Sequence, residues 1–251
     1  MPSRNDTPSR TTIVVGASRG LGRGIATALA GNGHSVIALA RRESALRELA
    51  DTAPGIQPEV LDAGEPTAAG RLLDRYDPEE LIVVAGATPL MRPIQHQSWE
   101  TFSVNWNTDV RIAFQWVREA LLKPLRPGSR VVVISSGAAL AGSPLSGGYA
   151  GAKSTQRFIA AYAQEESTRA GLGITVTAVL PQITSATELG RPAVQVYAAR
   201  SGKSEQEYLA QFGELLTPEA AGTAIAELLR AEASAVAPAY RLTSAGLQAL
   251  Q

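Results

Sequence analysis

Residues 11–33 read "TTIVVGASRGLGRGIATALAGNG". The stretch opens on five β-branched residues with no apolar/polar alternation. Such a run suits a strand buried on both faces. Gly16, Gly20 and Gly22 follow, with Ser18, Arg19 and Leu21 between them. Glycine reaches backbone conformations that a side chain forbids, and it lets another group approach the main chain closely. The residues after the turn have helical periodicity. A strand, a glycine turn and a helix in this order form the opening of a dinucleotide-binding fold. There the amides at the helix N-terminus, and the helix dipole, favour a pyrophosphate.

The same alternation continues along the chain. Apolar runs recur at "SVIALA" (35–40), "LIVVAG" (81–86), "RVVVISS" (130–136) and "GITVTAVL" (173–180), with a weaker one at "QPEVLD" (57–62). Between them lie "RESALRELADT", "PTAAGRLLDRY", a long segment from Trp99 to Leu125, and another from Tyr149 to Ala170, all helical in pattern. A further helix is expected in "LTPEAAGTAIAELLRAE" (216–232), with Thr217 as its N-cap and Pro218 in its first turn. Strand–helix alternation of this kind implies an α/β fold. The expectation is a single-domain Rossmann fold: a doubly wound parallel sheet of about seven strands with helices on both faces. Ligands bind such sheets outside the carboxyl ends of the strands.

Composition narrows the functions. The 251 residues carry 23 basic and 23 acidic side chains, so no electrostatic signal points to nucleic acid or an anionic membrane. Absence of cysteine excludes disulfides and thiolate chemistry. The two histidines, His34 and His96, are far apart and read as solvated loop residues, so no metal site is expected. No apolar run is long enough to span a bilayer. Residues 1–10 read as a polar, disordered tail with no signal core, and the cytoplasm is the expected location.

The second apolar run ends in "ALARR". An acidic residue here binds the adenosine ribose hydroxyl, whereas arginine accommodates the additional phosphate of NADP. The chain has Arg41 and Arg42, with Arg19 in the neighbouring turn. Guanidinium forks match a phosphate dianion. NADP(H) is therefore the expected cofactor.

With these motifs in order, the chain resembles the short-chain dehydrogenase/reductase family, from about Thr11 to about Leu242. "GASRGLG" is similar to the family's Gly-xxx-Gly-x-Gly turn, and "YAGAK" (149–153) to its Tyr-xxx-Lys pair. "VISSGAA" resembles the strand that carries the family's serine. Ser136 stands thirteen residues before Tyr149, the usual spacing. The resemblance implies that Asp62, with Ala63, contacts adenine, and that Ala85, Gly86 and the backbone of Ile183 line the cofactor. "VVAG" (83–86) departs from the family's Asn-Asn-Ala-Gly, and Pro181-Gln182 from its Pro-Gly. Ala186 stands where the family has threonine. Asn105 and Asn107 both compete for the asparagine of the fourth helix. Asn107 is chosen for its register with "NTDVRIAFQWVREAL".

The resemblance also implies a mechanism. Tyr149 donates a proton to a carbonyl oxygen held by Ser136. Free tyrosine ionises near ~10, and Lys153, one turn away, favours the tyrosinate. Lowering that value by about three units needs roughly 4 kcal/mol of differential stabilisation. Lys153 also contacts the nicotinamide ribose, and Asn107 supports a proton relay.

The implied activity is NADPH-dependent reduction of a ketone or aldehyde on a small-molecule, fairly apolar substrate. The segment 184–216 would act as substrate loop or lid, with Leu189, Val194, Val196, Tyr197, Tyr208, Leu209 and Phe212 lining a pocket or packing on the core. The alternatives are alcohol oxidation with NAD(P) and a non-catalytic NADP sensor or scaffold on the same fold. The resemblance further implies a homodimer or homotetramer built through the long helices.

Overall fold

In the computed structural model, residues 9–185, 187–188 and 190–250 are described. The strands are β1 (Thr11–Val15), β2 (Ser35–Ala40), β3 (Ile56–Val60), β4 (Glu80–Val83), β5 (Arg130–Ile134), β6 (Thr175–Pro181), β7 (Ala239–Thr243) and β8 (Gly246–Leu250). They form one sheet in the order β3-β2-β1-β4-β5-β6-β7-β8. Seven strands run parallel, as the continuous apolar runs imply, while β8 turns back antiparallel to β7. This edge hairpin lies beyond the last apolar run recognised in the sequence. Its outward residues are half-exposed, so it lacks the signature of a doubly buried strand.

The helices are α1 (Gly20–Gly31), α2 (Glu43–Thr52), α3 (Ala68–Tyr76), α4 (Trp99–Asn105), α5 (Arg111–Leu122), α6 (Ala138–Ala141), α7 (Tyr149–Arg169), α8 (Gly190–Arg200), α9 (Glu205–Ala210) and α10 (Pro218–Arg230). They build two cores. On one face, Leu72, Ile112, Trp116 and Ala160 pack against Ile13, Ile37, Leu81 and Val131. On the other, Ile25, Leu29, Leu46 and Ile225 pack against Val14, Val36, Ile82 and Val132. Alternate residues of each strand therefore feed opposite cores. Thr217 caps α10 by accepting the Ala220 N–H at 3.1 Å, and Pro218 stands in its first turn.

Two glycines absent from the motif reading set the packing of α1 on α10. A Cβ on Gly24 would fall 2.1 Å from Pro218 O, and one on Gly222 would fall 2.4 Å from Gly24 O. The helices cross at backbone contact there.

Two expectations at the opposite end of the sheet are corrected. Residues 1–8 of the expected tail lie outside the described residues, but Ser9 and Arg10 are tied down. Ser9 Oγ donates to Gly33 O at 2.7 Å, and Arg10 pairs with Glu80 at 3.2 Å. His34 is not a solvated loop residue: its Nδ1 lies 2.9 Å from the fully buried Glu80 carboxylate. His96, in a short 3-10 turn, is exposed.

Candidate active site

The site is assembled at the carboxyl ends of β1, β4 and β5, which the register sets level: Val15 pairs with Val83 and Val83 with Val133. Gly16 leaves β1 with φ 96°, a conformation that favours glycine. A Cβ there would stand 2.7 Å from Ala85 N. Gly22, at the start of α1, packs on the turn itself, because its Cβ would fall 2.1 Å from Gly16 O. The turn is therefore a tight backbone cradle at a helix N-terminus. The helix begins with no side-chain cap, and Arg19 occupies the N-cap position. Ser18 and Leu21 are half-buried beside it.

Arg41 and Arg42 follow β2 and are exposed, with Arg42 at the N-cap of α2. Arg19 is ion-paired with Glu188, and Arg42 Nη2 stands 3.8 Å from the same carboxylate. Two of the three guanidiniums, those of Arg19 and Arg42, thus border one carboxylate at the end of β2, while Arg41 is exposed beside them in the chain. Asp62 closes the turn after β3, accepting the Gly64 N–H at 2.9 Å, and Ala63 O accepts Trp116 Nε1 at 3.0 Å. Ala85 and Gly86 follow β4, where both Val84 and Ala85 donate to Val15 O, at 2.9 and 2.8 Å. The Val83 of the departing "VVAG" motif is fully buried in a core.

Ser135 and Ser136 follow β5. The Ser135 hydroxyl donates to Lys153 O at 2.7 Å, tying the strand to the first turns of α7. Ser136 Oγ accepts the Ala138 N–H at 3.2 Å and stays half-buried. Tyr149 and Lys153 lie one turn apart on one face of α7, with Lys153 Nζ 5.5 Å from the Tyr149 ring centre. Small residues precede the helix, and there is no space for larger ones. A Cβ on Gly148 would fall 2.5 Å from Phe102 O.

Lys153 is only 4% exposed. Its ammonium meets Gln156 Oε1 at 2.9 Å and Asp109 Oδ2 at 3.0 Å. Burial works against the charged form. The Asp109 carboxylate and Tyr149 outweigh it, holding Lys153 above the ordinary lysine value. Asp109 was not singled out in the sequence, where it is one carboxylate in an otherwise amphipathic helix. A spacing signal for it exists only once α7 is placed beside the segment.

Asn107 is a correction. It is exposed, and its amide donates to Ser103 Oγ at 3.2 Å. Asn105 is the buried one: its Nδ2 donates to Ala87 O at 2.7 Å and to Asp109 Oδ1 at 3.2 Å. Its Oδ1 is buried with no hydrogen-bond partner among the described residues. The reason lies in the backbone. Residues Trp106–Val110 form a π turn between α4 and α5, so the register of α5 does not carry back to residue 107.

The segment after β6 holds the remaining expectations. Gln182, in place of glycine, continues the ladder by donating to Leu242 O at 2.8 Å, and Gly137 N donates to Pro181 O at 2.8 Å. Ile183 is half-buried; Ala186 and Leu189 lie outside the described residues. Val194 is buried, and Tyr197 stacks on Tyr208, which meets Phe212 edge-on. The Tyr197 hydroxyl lies 2.7 Å from Ser143 Oγ and accepts the Leu145 N–H at 3.2 Å. That contact anchors α8 to the loop preceding Tyr149. Thr187 reaches over the glycine turn, with its Cγ2 3.2 Å from where a Gly20 Cβ would stand.

Residues 10–197 match the short chain dehydrogenase family model. The chain belongs to that family. Carbonyl reductase [NADPH] 2 of Sus scrofa is 34% identical over 126 residues, covering 49% of this chain and 52% of the relative. Human L-xylulose reductase is 33% identical over 106 residues, 42% of this chain and 43% of the relative. These matches thus span about half of each relative's length. The hydroxynaphthalene reductase-like protein Arp2 of Metarhizium majus is 29% identical over 72% of each chain. In fold, the chain is similar to an actinorhodin polyketide ketoreductase variant solved with NADPH. The TM-score is 0.81 at 23% identity, over 94% of this chain and 96% of that one. Among the described residues, no helix is long and apolar enough to cross a membrane.

Proposed function

We propose that the chain is an NADPH-dependent reductase of small-molecule ketones or aldehydes, with Tyr149 as proton donor. The observation that carries this reading is the pairing of Lys153 with Tyr149, 5.5 Å from ammonium to ring, on a helix turn that Ser135 ties to β5 beside Ser136. The relatives named as carbonyl and xylulose reductases support the carbonyl class.

The residues suit a dinucleotide. The closely packed Gly16 and Gly22 present backbone where a pyrophosphate needs close approach, and a Cβ at either would close the cradle. Arg19, Arg41 and Arg42 supply the charge for a ribose phosphate. When bound, the nicotinamide supplies hydride chemistry.

This chain's own residues do the rest. Ser136 orients the carbonyl oxygen by donating a hydrogen bond. Tyr149 Oη delivers the proton that the oxygen gains as it becomes an alcohol. Lys153 stabilises the phenolate left behind. Asn105, rather than Asn107, takes the helix-asparagine role, since it joins Lys153 through Asp109. α8 and α9 cover the substrate side, held by Tyr197. Phe114, Phe158 and Tyr162, each more than half exposed on α5 and α7, form the face through which a second copy binds.

Tyr149→Phe tests the reading. Carbonyl turnover with NADPH should fall by about two orders of magnitude or more, while NADPH binding is retained. Turnover unaffected by the substitution, or no turnover on any carbonyl in the wild type, would reject it.

A further inference from the structure

Asp109 stands out because the reading above gives it no role beyond linking Asn105 to Lys153. It is a fully buried carboxylate. Oδ1 accepts the Ala87 N–H at 2.8 Å and Asn105 Nδ2 at 3.2 Å, which fixes the carboxylate to the loop after β4 and to the end of α4. Oδ2 faces Lys153 Nζ at 3.0 Å. The main-chain oxygen accepts Gln156 Nε2 at 3.0 Å, and Gln156 Oε1 accepts Lys153 Nζ at 2.9 Å. Lys153, Gln156 and Asp109 thus close a ring. The π turn makes the ring possible by bringing both the side chain and the carbonyl of Asp109 to α7.

An ammonium has three N–H groups. One donates to Gln156 Oε1, and the ammonium is ion-paired with Asp109 Oδ2 at 3.0 Å, which leaves N–H groups for the cofactor ribose and the tyrosine. The titratable groups against Lys153 are Asp109, from the π turn, and Tyr149, on its own helix. The other polar neighbours, Gln156, Asn105 and Ser135, are neutral. Tyr149 therefore does not face a lone cation. It faces an ion pair whose net charge is zero.

We propose that Asp109 is a positioning residue that, with Gln156, holds Lys153 Nζ in one place and offsets its field at Tyr149. The inference rests on the reductase reading above and deepens it. A lone ammonium at this distance favours the phenolate, which suits a base in alcohol oxidation. The Asp109–Lys153 pair weakens that bias and keeps the phenol form available as the acid for reduction. The carboxylate also compensates the burial of the ammonium; in its absence the Tyr149 phenolate is the group left to do so.

The test reads tyrosine ionisation directly, by ultraviolet absorbance of tyrosinate, with Tyr149→Phe as the blank that isolates the Tyr149 signal. Asp109→Asn keeps size and the acceptor for Ala87 N–H but removes the charge. It should move the Tyr149 midpoint to lower pH by about one unit or more. The alkaline limb of kcat/KM for carbonyl reduction should move the same way. A Tyr149 midpoint that stays in place, with activity merely scaled down, would overturn the proposal and leave Asp109 a purely structural residue. Where Asp109→Asn does not fold, Gln156→Glu decides the matter. It adds a carboxylate beside Nζ and should move the Tyr149 midpoint upward; an unmoved midpoint rejects the proposal. The absorbance titration needs no turnover, so a chain that reduces no carbonyl would sink the reductase reading without deciding this one.

Discussion

The Glu188 carboxylate stands between Arg19 and Arg42: it is ion-paired with the first and 3.8 Å from the second. A side chain from the segment after β6 thus occupies the position that the arginines would offer a ribose phosphate. Hydrogen bonding from Arg19, and then its charge, hold Glu188 below the usual carboxylate range. A depressed carboxylate keeps its pairing above its unfolded value, near ~4.3, and loses it only as pH falls through the lower folded value. The pairing is therefore intact at neutral pH. Glu188→Gln should tighten NADPH binding only about two- to fivefold, because solvent screens an exposed ion pair and keeps its contribution small. NADH affinity should not change. Fluorescence titration of both cofactors checks this, and equal effects on the two would separate Glu188 from the phosphate position.

The two close-packed glycines of α1 should behave differently. Gly22→Ala drives a Cβ into Gly16 O, and Gly24→Ala drives one into Pro218 O. Each should cost about 1–3 kcal/mol of stability from overpacking, read as a lower midpoint in urea. Only Gly22→Ala should also weaken cofactor binding at temperatures where both variants are folded.

Glu80 predicts an acid-labile sheet. Its buried carboxylate accepts Thr12 Oγ1 at 2.6 Å and meets His34 Nδ1 at 2.9 Å, with Arg10 at 3.2 Å. Burial pushes its pKa up, but hydrogen bonds from His34, Thr12 and Arg10, with the charge of His34, outweigh it and hold the carboxylate below its ordinary value. The stability it contributes is present above ~4.3 and is lost as pH falls through the folded value. Glu80→Ala should cost about 3 kcal/mol or more at neutral pH, because it leaves buried donors unpaired. Denaturation curves at pH 7 and pH 4 check the sign: the gap between wild type and variant should narrow in acid.

Tyr197→Phe removes the hydroxyl that meets Ser143 and the Leu145 N–H while leaving the ring stack with Tyr208. The lost hydrogen bonds correspond to about 1 kcal/mol. KM for the carbonyl substrate should rise severalfold with a smaller change in kcat. Equal KM values would place α8 outside the substrate side.

The apolar face of α5 and α7 should be covered by a second copy. Replacing Phe158, 54% exposed, with glutamate should lower the oligomeric mass measured by light scattering and leave the fold intact by circular dichroism. A wild-type chain that is monomeric at micromolar concentration would reject the interface.

Much of this organisation was legible in one dimension. The runs at β1, β2, β4, β5 and β6 are continuous because those strands are buried on both faces. The glycine turn and Tyr149–Lys153 were legible for a related reason: each is a local arrangement with its own spacing. β8 was not, since an edge strand with one exposed face carries no such run. Asn105 and Asp109 were not either. Helical periodicity assumes an unbroken α-helix, and the π turn at 106–110 breaks it where the site needs a different register.

Strand–helix alternation, the backbone cradle after β1, and the residue types able to do acid chemistry all follow from local order along the chain. These depend on neighbours a few positions apart, where steric and periodic rules act directly. Folding in three dimensions settles which asparagine faces inward, that Asp109 pairs with Lys153, and that Glu188 lies on Arg19 and Arg42. Each of those is a contact across 44 or more positions, or a turn of helix register. Burial strengthens the first contacts, because removing water from a charge makes its partner obligatory.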